Sequence, residues 1–531
     1  MDRNLHETFP PGYKWKVLAI IMIGTMMATL DSSIVNVSIP AIMSDFGSNL
    51  EDIEWIMTGY MLAFAALMPL TGWLRERIGY KNILISSLIL FTVGSLLCGM
   101  AWNLPSLITA RILQAIGGGA IMPTGMAMLF EVFPLKERGK AMGFWGMGII
   151  VGPAIGPTLG GYLTHSFGWR SIFLVNLPIG IIAVMMAAEM LLKDNLLSKI
   201  KKSFDFWGFA FLTIFLVSFL LGMSKGEKEG WLSVFIISCF ILAITSFVGF
   251  MLVELHLKEG HGIVDLSLFK SPVFSIAAII AVVRSIGLFG GVFLIPLFLQ
   301  QQMGYNELQS GLIMLPSSLL MAFVLPFVGR MADKVGPKIP SLIGLVLMAY
   351  SLIVYKTIDV NTSLWDLINP MLIRSFGMAL LMAPITTAAM NSVPSRKAGM
   401  ASSLMNIIQQ VGGSIGIAFF ATALSNRAHY HISIVSESAK STNPAFIEAA
   451  SKIMQHVHTM GFSYSQSMTA AKIAIVKTMT KAAMVMSFQD AFIIGGIIVA
   501  LAIPMAIFLP SKAVHHVHGE SKEGGRAIII D

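Results

Sequence analysis

Along almost its whole length the chain alternates between unbroken apolar stretches of about 20 residues and short segments rich in lysine, arginine, glycine and proline. About 20 apolar residues is what a helix needs to cross roughly 30 Å of hydrocarbon. Fourteen such stretches are legible, the first near 15–40 and the last near 487–509. Inside a bilayer every backbone donor must be satisfied within the protein, so each stretch predicts a helix. The expected fold class is therefore an all-α polytopic membrane protein. The first stretch is too long for a removable leader and lacks a small-residue cleavage site, so it reads as a retained span.

One stretch carries a second pattern. Residues 148–161 read GIIVGPAIGPTLGG. Gly148, Gly152, Gly156 and Gly160 recur every four residues and form one bare stripe on a helix, with Gly161 following. Pro153 and Pro157 each remove a backbone donor and bend the segment. Small residues at this spacing let two membrane helices approach backbone to backbone. The stripe reads either as an ordinary tight crossing or as a specialised motif.

Composition supports the membrane setting. Hydrophobic residues make up 55% of 531 and charged residues 12%, against about a quarter charged in a soluble domain. The net charge of +8 is a topology signal. With the N-terminus inside, basic residues such as Arg75, Lys81, Lys136, Arg330 and Lys512 fall in inner segments, and few, among them Arg170 and Lys356, in short outer loops. The positive-inside rule then places both termini in the cytoplasm, and nucleic-acid binding need not be invoked. Cys98 and Cys239 both lie inside spans, so no disulfide framework is expected.

Two loops echo each other. GWLRERIGYK at 72–81 and GRMADKVGPK at 329–338 align Gly72, Glu76, Arg77, Gly79 and Lys81 with Gly329, Asp333, Lys334, Gly336 and Lys338. Each follows the second span of its half. A duplicated bundle of six spans accounts for twelve, leaving an extra pair near 205–224 and 231–254 between the halves. The domains are then an N-terminal bundle, 1–192; a linker with two extra spans, 193–271; a C-terminal bundle, 272–510, including a long outer segment, 427–486; and a tail, 511–531. The glycines permit tight turns, while the acids can face a helix N-terminus or a base on the opposite half. Basic loop residues that only enforce topology are the plainer reading.

A charge near the bilayer centre costs roughly 2.5–3.5 kcal/mol on insertion scales, so it asks for a partner or a purpose. Asp31 lies about nine residues before the outer end of span one, and Arg111 about six residues into span four from the same side. Both sit roughly 9–14 Å from that surface. They meet if the two spans are neighbours, either as a coupling device that takes up and loses a proton or as a static ion pair.

These motifs also carry a resemblance. The stripe matches the fifth-span pattern of the major facilitator antiporters. LDSSIVNVSIP at 30–40 and RILQAIGGG at 111–119 resemble the first- and fourth-span motifs of the fourteen-span drug:proton antiporters, the EmrB/QacA type. The paired loops resemble the superfamily signature between spans two and three, with Glu76 for Asp and Tyr80 where a base is usual. The resemblance, from about residue 15 to 510, implies the major facilitator fold and a secondary antiporter exporting lipophilic compounds from the cytoplasm or inner leaflet. It assigns proton coupling to Asp31 and Arg111, and interdomain packing and antiport to the stripe. The expected location is the inner membrane. No enzymatic activity and no cofactor are expected, only a proton gradient; a P-loop is absent. A periplasmic adaptor and an outer-membrane channel are implied as possible partners.

The expected substrate cavity draws on Asn36, Gln114, Arg284, Phe293, Arg374 and Asn406. Deep acids are scarce beside Asp31, which favours neutral or weakly acidic substrates oriented by Arg284 or Arg374. The two arginines read equally well as partners of helix carbonyls. The segment 427–486 looks amphipathic and suits a membrane surface or an adaptor. Its histidines have poor spacing for a metal, and none is expected. The bare face of 148–160 is expected to pack against the other half as a seal. A metabolite or organic-anion transporter, or a transport-inactive sensor, is the alternative on this scaffold.

Overall fold

The computed structural model describes residues 9–192, 204–257, 262–394, 397–438 and 463–511, with isolated positions between 448 and 459. The basic linker near 193–203, the tail beyond 511 and the pair His456 and His458 lie outside these residues.

Helices α1 (Tyr13–Phe46), α2 (Trp55–Leu67), α3 (Leu70–Gly99), α4 (Leu104–Val132), α5 (Arg138–Phe167) and α6 (Asn176–Met190) build the first half. Helices α7 (Phe206–Glu229) and α8 (Val234–His256) follow. The second half comprises α9 (Pro272–Gln301), α10 (Glu307–Val335), α11 (Lys338–Val354), α12 (Leu364–Asn391), α13 (Ala398–Ser438) and α14 (Tyr464–Leu501). Among the described residues, 13 helical segments are long and apolar enough to cross a membrane. The remaining crossing is α2, completed past Pro69 by the first turns of α3, which kinks at Gly79 before crossing back. Fourteen spans result, as the hydropathy pattern predicts.

Local chemistry sets the boundaries. Asn103 with Ser106, Asn306 with Gln309 and Ser463 with Gln466 form capping boxes that satisfy the first donors of α4, α10 and α14. Gly79 (φ 78°) and Gly336 (φ 83°) take the left-handed turn at the same place in each repeated loop. The two loops therefore share a backbone device as well as a sequence.

The face carrying residues 9–13 and both repeated loops is called proximal, the opposite face distal. The pair α7 and α8 packs against itself, and α7 also lies against α2 and α13, where the two halves meet. Lys225 pairs with Glu54 on that side, and Trp231 Nε1 donates to Thr422 Oγ1 at 2.9 Å. Along the other seam α5 lies against α10.

Within segment 427–486, residues 427–438 and 464–486 continue the last two spans, so that α13 runs 41 residues and α14 38. At 1.5 Å per residue each is about twice the hydrocarbon thickness. Arg427 and His431 of α13 both reach Asp490 Oδ2 of α14, at 2.9 and 2.8 Å, and tie the two together.

Candidate functional site

Spans one and four are neighbours, so Asp31 and Arg111, set at similar depth, meet, and both side chains are fully buried. Arg111 Nη1 donates to Asp31 Oδ2 and, at 2.8 Å, to Gln114 Oε1. Gln114 Nε2 donates to Asp31 Oδ1 at 2.8 Å, and Asn176 Nδ2 donates to the same oxygen at 2.9 Å. Both amides also donate to Ser95 Oγ, whose hydroxyl donates to Phe173 O at 2.9 Å. The guanidinium lies 4.0 Å from the Tyr60 ring centre, a cation–π distance. Helices α1, α2, α3, α4 and α6 thus each contribute to one closed polar cluster. Three donors converge on the carboxylate, so a proton placed there displaces one of them. Ser95, Asn176 and Tyr60 escape the sequence reading, because a neutral polar residue in an apolar span carries little insertion penalty; the available signal for Asn176 is a lone amide in the apolar segment FLVNLPIG at 173–180.

Glycines position this cluster from two sides. A Cβ at Gly152 would lie 2.6 Å from Leu30 N, one at Gly156 2.7 Å from Ser33 Oγ, and one at Gly160 2.9 Å from Ile34 O. The stripe therefore seats α5 on α1, on the turns flanking Asp31. On the far side, a Cβ at Gly94 would lie 2.7 Å from Gln114 Cβ, and one at Gly117 2.6 Å from Ser87 O. These two bring α3 onto α4. The expectation that the stripe packs against the other half is overturned: its bare face meets a helix of its own half. A four-residue period fixes which face is bare, not which neighbour fills it. Pro157 instead turns toward the second half, its Cβ 3.7 Å from where a side chain at Gly311 would begin. Pro153 offers its carbonyl to Ser33 Oγ at 3.4 Å.

The seal between the halves lies nearer the proximal end of α5. A Cβ at Gly143 would lie 2.7 Å from Pro326 Cα, and one at Gly329 2.7 Å from the carbonyl carbon of Gly139. Asp333 accepts from the backbone N–H of Gly139 and Lys140 at 2.7 and 2.9 Å, so the acid of the second loop caps the start of α5. Arg138 is buried and donates to Asn391 Oδ1 across the interface at 2.8 Å and to Phe133 O within its own half at 3.3 Å. In the first loop, Gly72 abuts Met400, Arg75 pairs with Glu131 at 3.1 Å, and half-buried Glu76 stands beside it. Arg77 covers Trp73, and Lys81 Nζ donates to Ala188 O at 2.7 Å, capping the end of α6. Lys334 is exposed, and Lys338 begins α11. Ser402 Oγ donates to Pro123 O at 2.9 Å, joining α13 to α4. The proximal ends of the halves are closed on each other.

At the distal ends of α1, α5, α9 and α10 a cleft of about 790 Å³ is lined by Gly161, Tyr162, His165, Gln300 and Tyr305 among others. Asn36 is exposed, Phe293 half-buried, and Asn406 is buried with its amide donating to Ser402 O at 2.8 Å. Gln114 belongs to the Asp31 cluster rather than to an open cavity. Arg284 donates to Gln409 Oε1 at 2.6 Å and Met382 O at 3.5 Å, and Arg374 donates to Leu288 O at 3.4 Å. Among the described residues no group of histidine, cysteine or acidic side chains is arranged to hold a metal ion.

Two six-helix halves closed at one end, with buried charges in their helices, define a multi-span membrane transporter. The chain belongs to the Major Facilitator Superfamily, whose pattern it matches over residues 21–417. It is 31% identical over 508 residues to the uncharacterized MFS-type transporter YhcA of Bacillus subtilis, covering 96% of this chain and 95% of that one. It is 33% identical to the riboflavin transporter RibZ of Clostridioides difficile (83% and 93%) and 32% identical to the multidrug export protein EmrB of Escherichia coli (80% and 83%). The proton:xylose symporter XylE shares the fold, with a TM-score of 0.61 at 14% identity, covering 95% of this chain and 98% of that one. The chain is a transporter, not an enzyme.

Proposed function

We propose that this protein is a proton-coupled antiporter that exports lipophilic compounds from the cytoplasm or inner leaflet. The proximal face and both termini are then cytoplasmic, and the location is the inner membrane. The observation that carries the reading is the sealed cluster around Asp31. A carboxylate held by three donors from α4 and α6 changes its partners when it takes a proton, and α5 rests on the same turns of α1. That links protonation to the helix whose proximal end closes the two halves. The similarity to EmrB supports a lipophilic drug as cargo. The helical arms of α13 and α14 beyond the bilayer are the surface assigned to a periplasmic adaptor leading to an outer-membrane channel.

The test uses proteoliposomes with an imposed pH gradient and the dye rhodamine 6G. Gradient-driven dye movement that stops on adding a protonophore, and that Asp31→Asn abolishes, is expected. Dye movement unaffected by the protonophore contradicts proton coupling. A second reading, transport of a planar metabolite, is favoured by the similarity to RibZ; riboflavin run in the same vesicles separates the two.

A further inference from the structure

Leaving aside Arg138 at the proximal end of α5, the two halves treat the arginines set deep in their spans differently. In the first, Arg111 has Asp31 as counter-charge. In the second, Arg284 and Arg374 are 2% and 5% exposed, and neither makes an ion pair among the described residues. Their acceptors are neutral: the Gln409 amide oxygen and the carbonyls of Met382 and Leu288. The Nε–H of each is buried with no partner. They occupy one seam. Arg284 on α9 reaches a carbonyl of α12, and Arg374 on α12 reaches a carbonyl of α9 one turn above Arg284. Gly291 leaves the space that the Arg374 guanidinium fills, and Gly413 accepts the Phe289 ring beside the seam.

Two uncompensated guanidinium groups in a membrane interior are costly, and each keeps an unspent donor. A carboxylate or sulfonate answers both, because a guanidinium binds an oxyanion through paired, charge-assisted hydrogen bonds. We infer that Arg284 and Arg374, with Gln409 as the acceptor that holds Arg284 in reserve, form an anion-binding site in the second half for aromatic, lipophilic acids. The half-buried Phe289 and Phe293 supply the apolar wall. The inference deepens the proposed export function by naming a substrate class, and it does not depend on proton coupling.

Binding to the purified full-length protein in detergent, without any gradient, tests it with two probes on one xanthene scaffold: anionic fluorescein and cationic rhodamine 6G. Fluorescein should bind the wild type and raise its thermal midpoint. Arg284→Gln and Arg374→Gln should each weaken fluorescein about tenfold, the loss of one charge-assisted contact, and change rhodamine binding less than twofold. Arg284→Lys should recover part of the loss, since the charge remains without the fork. Absence of fluorescein binding to the wild type overturns the site, even where the glutamine variants prove too unstable to purify. Equal loss of both probes in folded variants also overturns it and leaves the arginines as helix-packing groups. Either failure leaves gradient-driven export of rhodamine 6G, and so the proposed function, standing.

Discussion

At Asp31, one carboxylate collects donors from Arg111, Gln114 and Asn176, and every member of the cluster is shut away from solvent. Asn176 is the member whose loss tests the geometry without touching a charge. Asn176→Ala should insert normally and lower gradient-driven export about tenfold, the scale of one hydrogen bond to a charged group; unchanged export would make Asn176 a packing residue. The meeting of Asp31 and Arg111 was legible because an isolated charge in an apolar span stands out and its depth can be counted. Ser95 and Tyr60 were not, since serine and tyrosine are unexceptional in such spans. Arg138 was hidden differently: it looked like one more inner-face base, and only the fold turns it inward onto Asn391.

For the elements, the glycine stripe yields a graded prediction. A Cβ at Gly148 would meet Met22 at 3.5 Å, ordinary contact, whereas Gly152 and Gly156 have backbone or hydroxyl atoms of α1 within 2.7 Å. Gly148→Ala should therefore transport normally, and Gly152→Leu or Gly156→Leu should lose export while still inserting, measured side by side in membrane vesicles. Equal behaviour of the three would detach α5 from the Asp31 turns. The stripe was legible as a motif and its neighbour was not, because periodicity along one helix contains no information about the helix across from it. The segment joining α8 to α9 carries a pH-dependent tie. Burial pushes Asp265 up, but Lys397 and Ser267 outweigh it and hold the carboxyl below its ordinary value. A depressed carboxyl stabilises the fold above its unfolded value, and the stabilisation is lost as pH falls through the folded value. Asp265→Asn should thus lower the thermal midpoint at pH 7, and the difference from wild type should shrink as the pH is taken below 4.

In the whole molecule, the halves close at the proximal end through α5 with α10 and α3 and α4 with α13, while a cleft remains at the distal end. The duplication and the two extra spans were legible from the paired loops and the span count. The place of α7 between α2 and α13 was not, because nothing in an apolar helix records which seam it fills. If the proximal closure opens during each cycle, cross-linking Gly72→Cys to Met400→Cys should stop transport on oxidation and restore it on reduction; the native Cys98 and Cys239 are buried and do not compete. Transport that continues in the fully cross-linked protein would place the moving gate elsewhere.

The central claim, that Asp31 exchanges its proton for cargo, is met most directly by proton release from the detergent-solubilised protein in weakly buffered solution. The pH is set low enough for the wild type to have taken up a proton that Asp31→Asn does not. Adding rhodamine 6G to the wild type should then release protons in proportion to the dye bound, and adding it to Asp31→Asn should release none although the dye still binds. Equal release from both proteins would contradict the account.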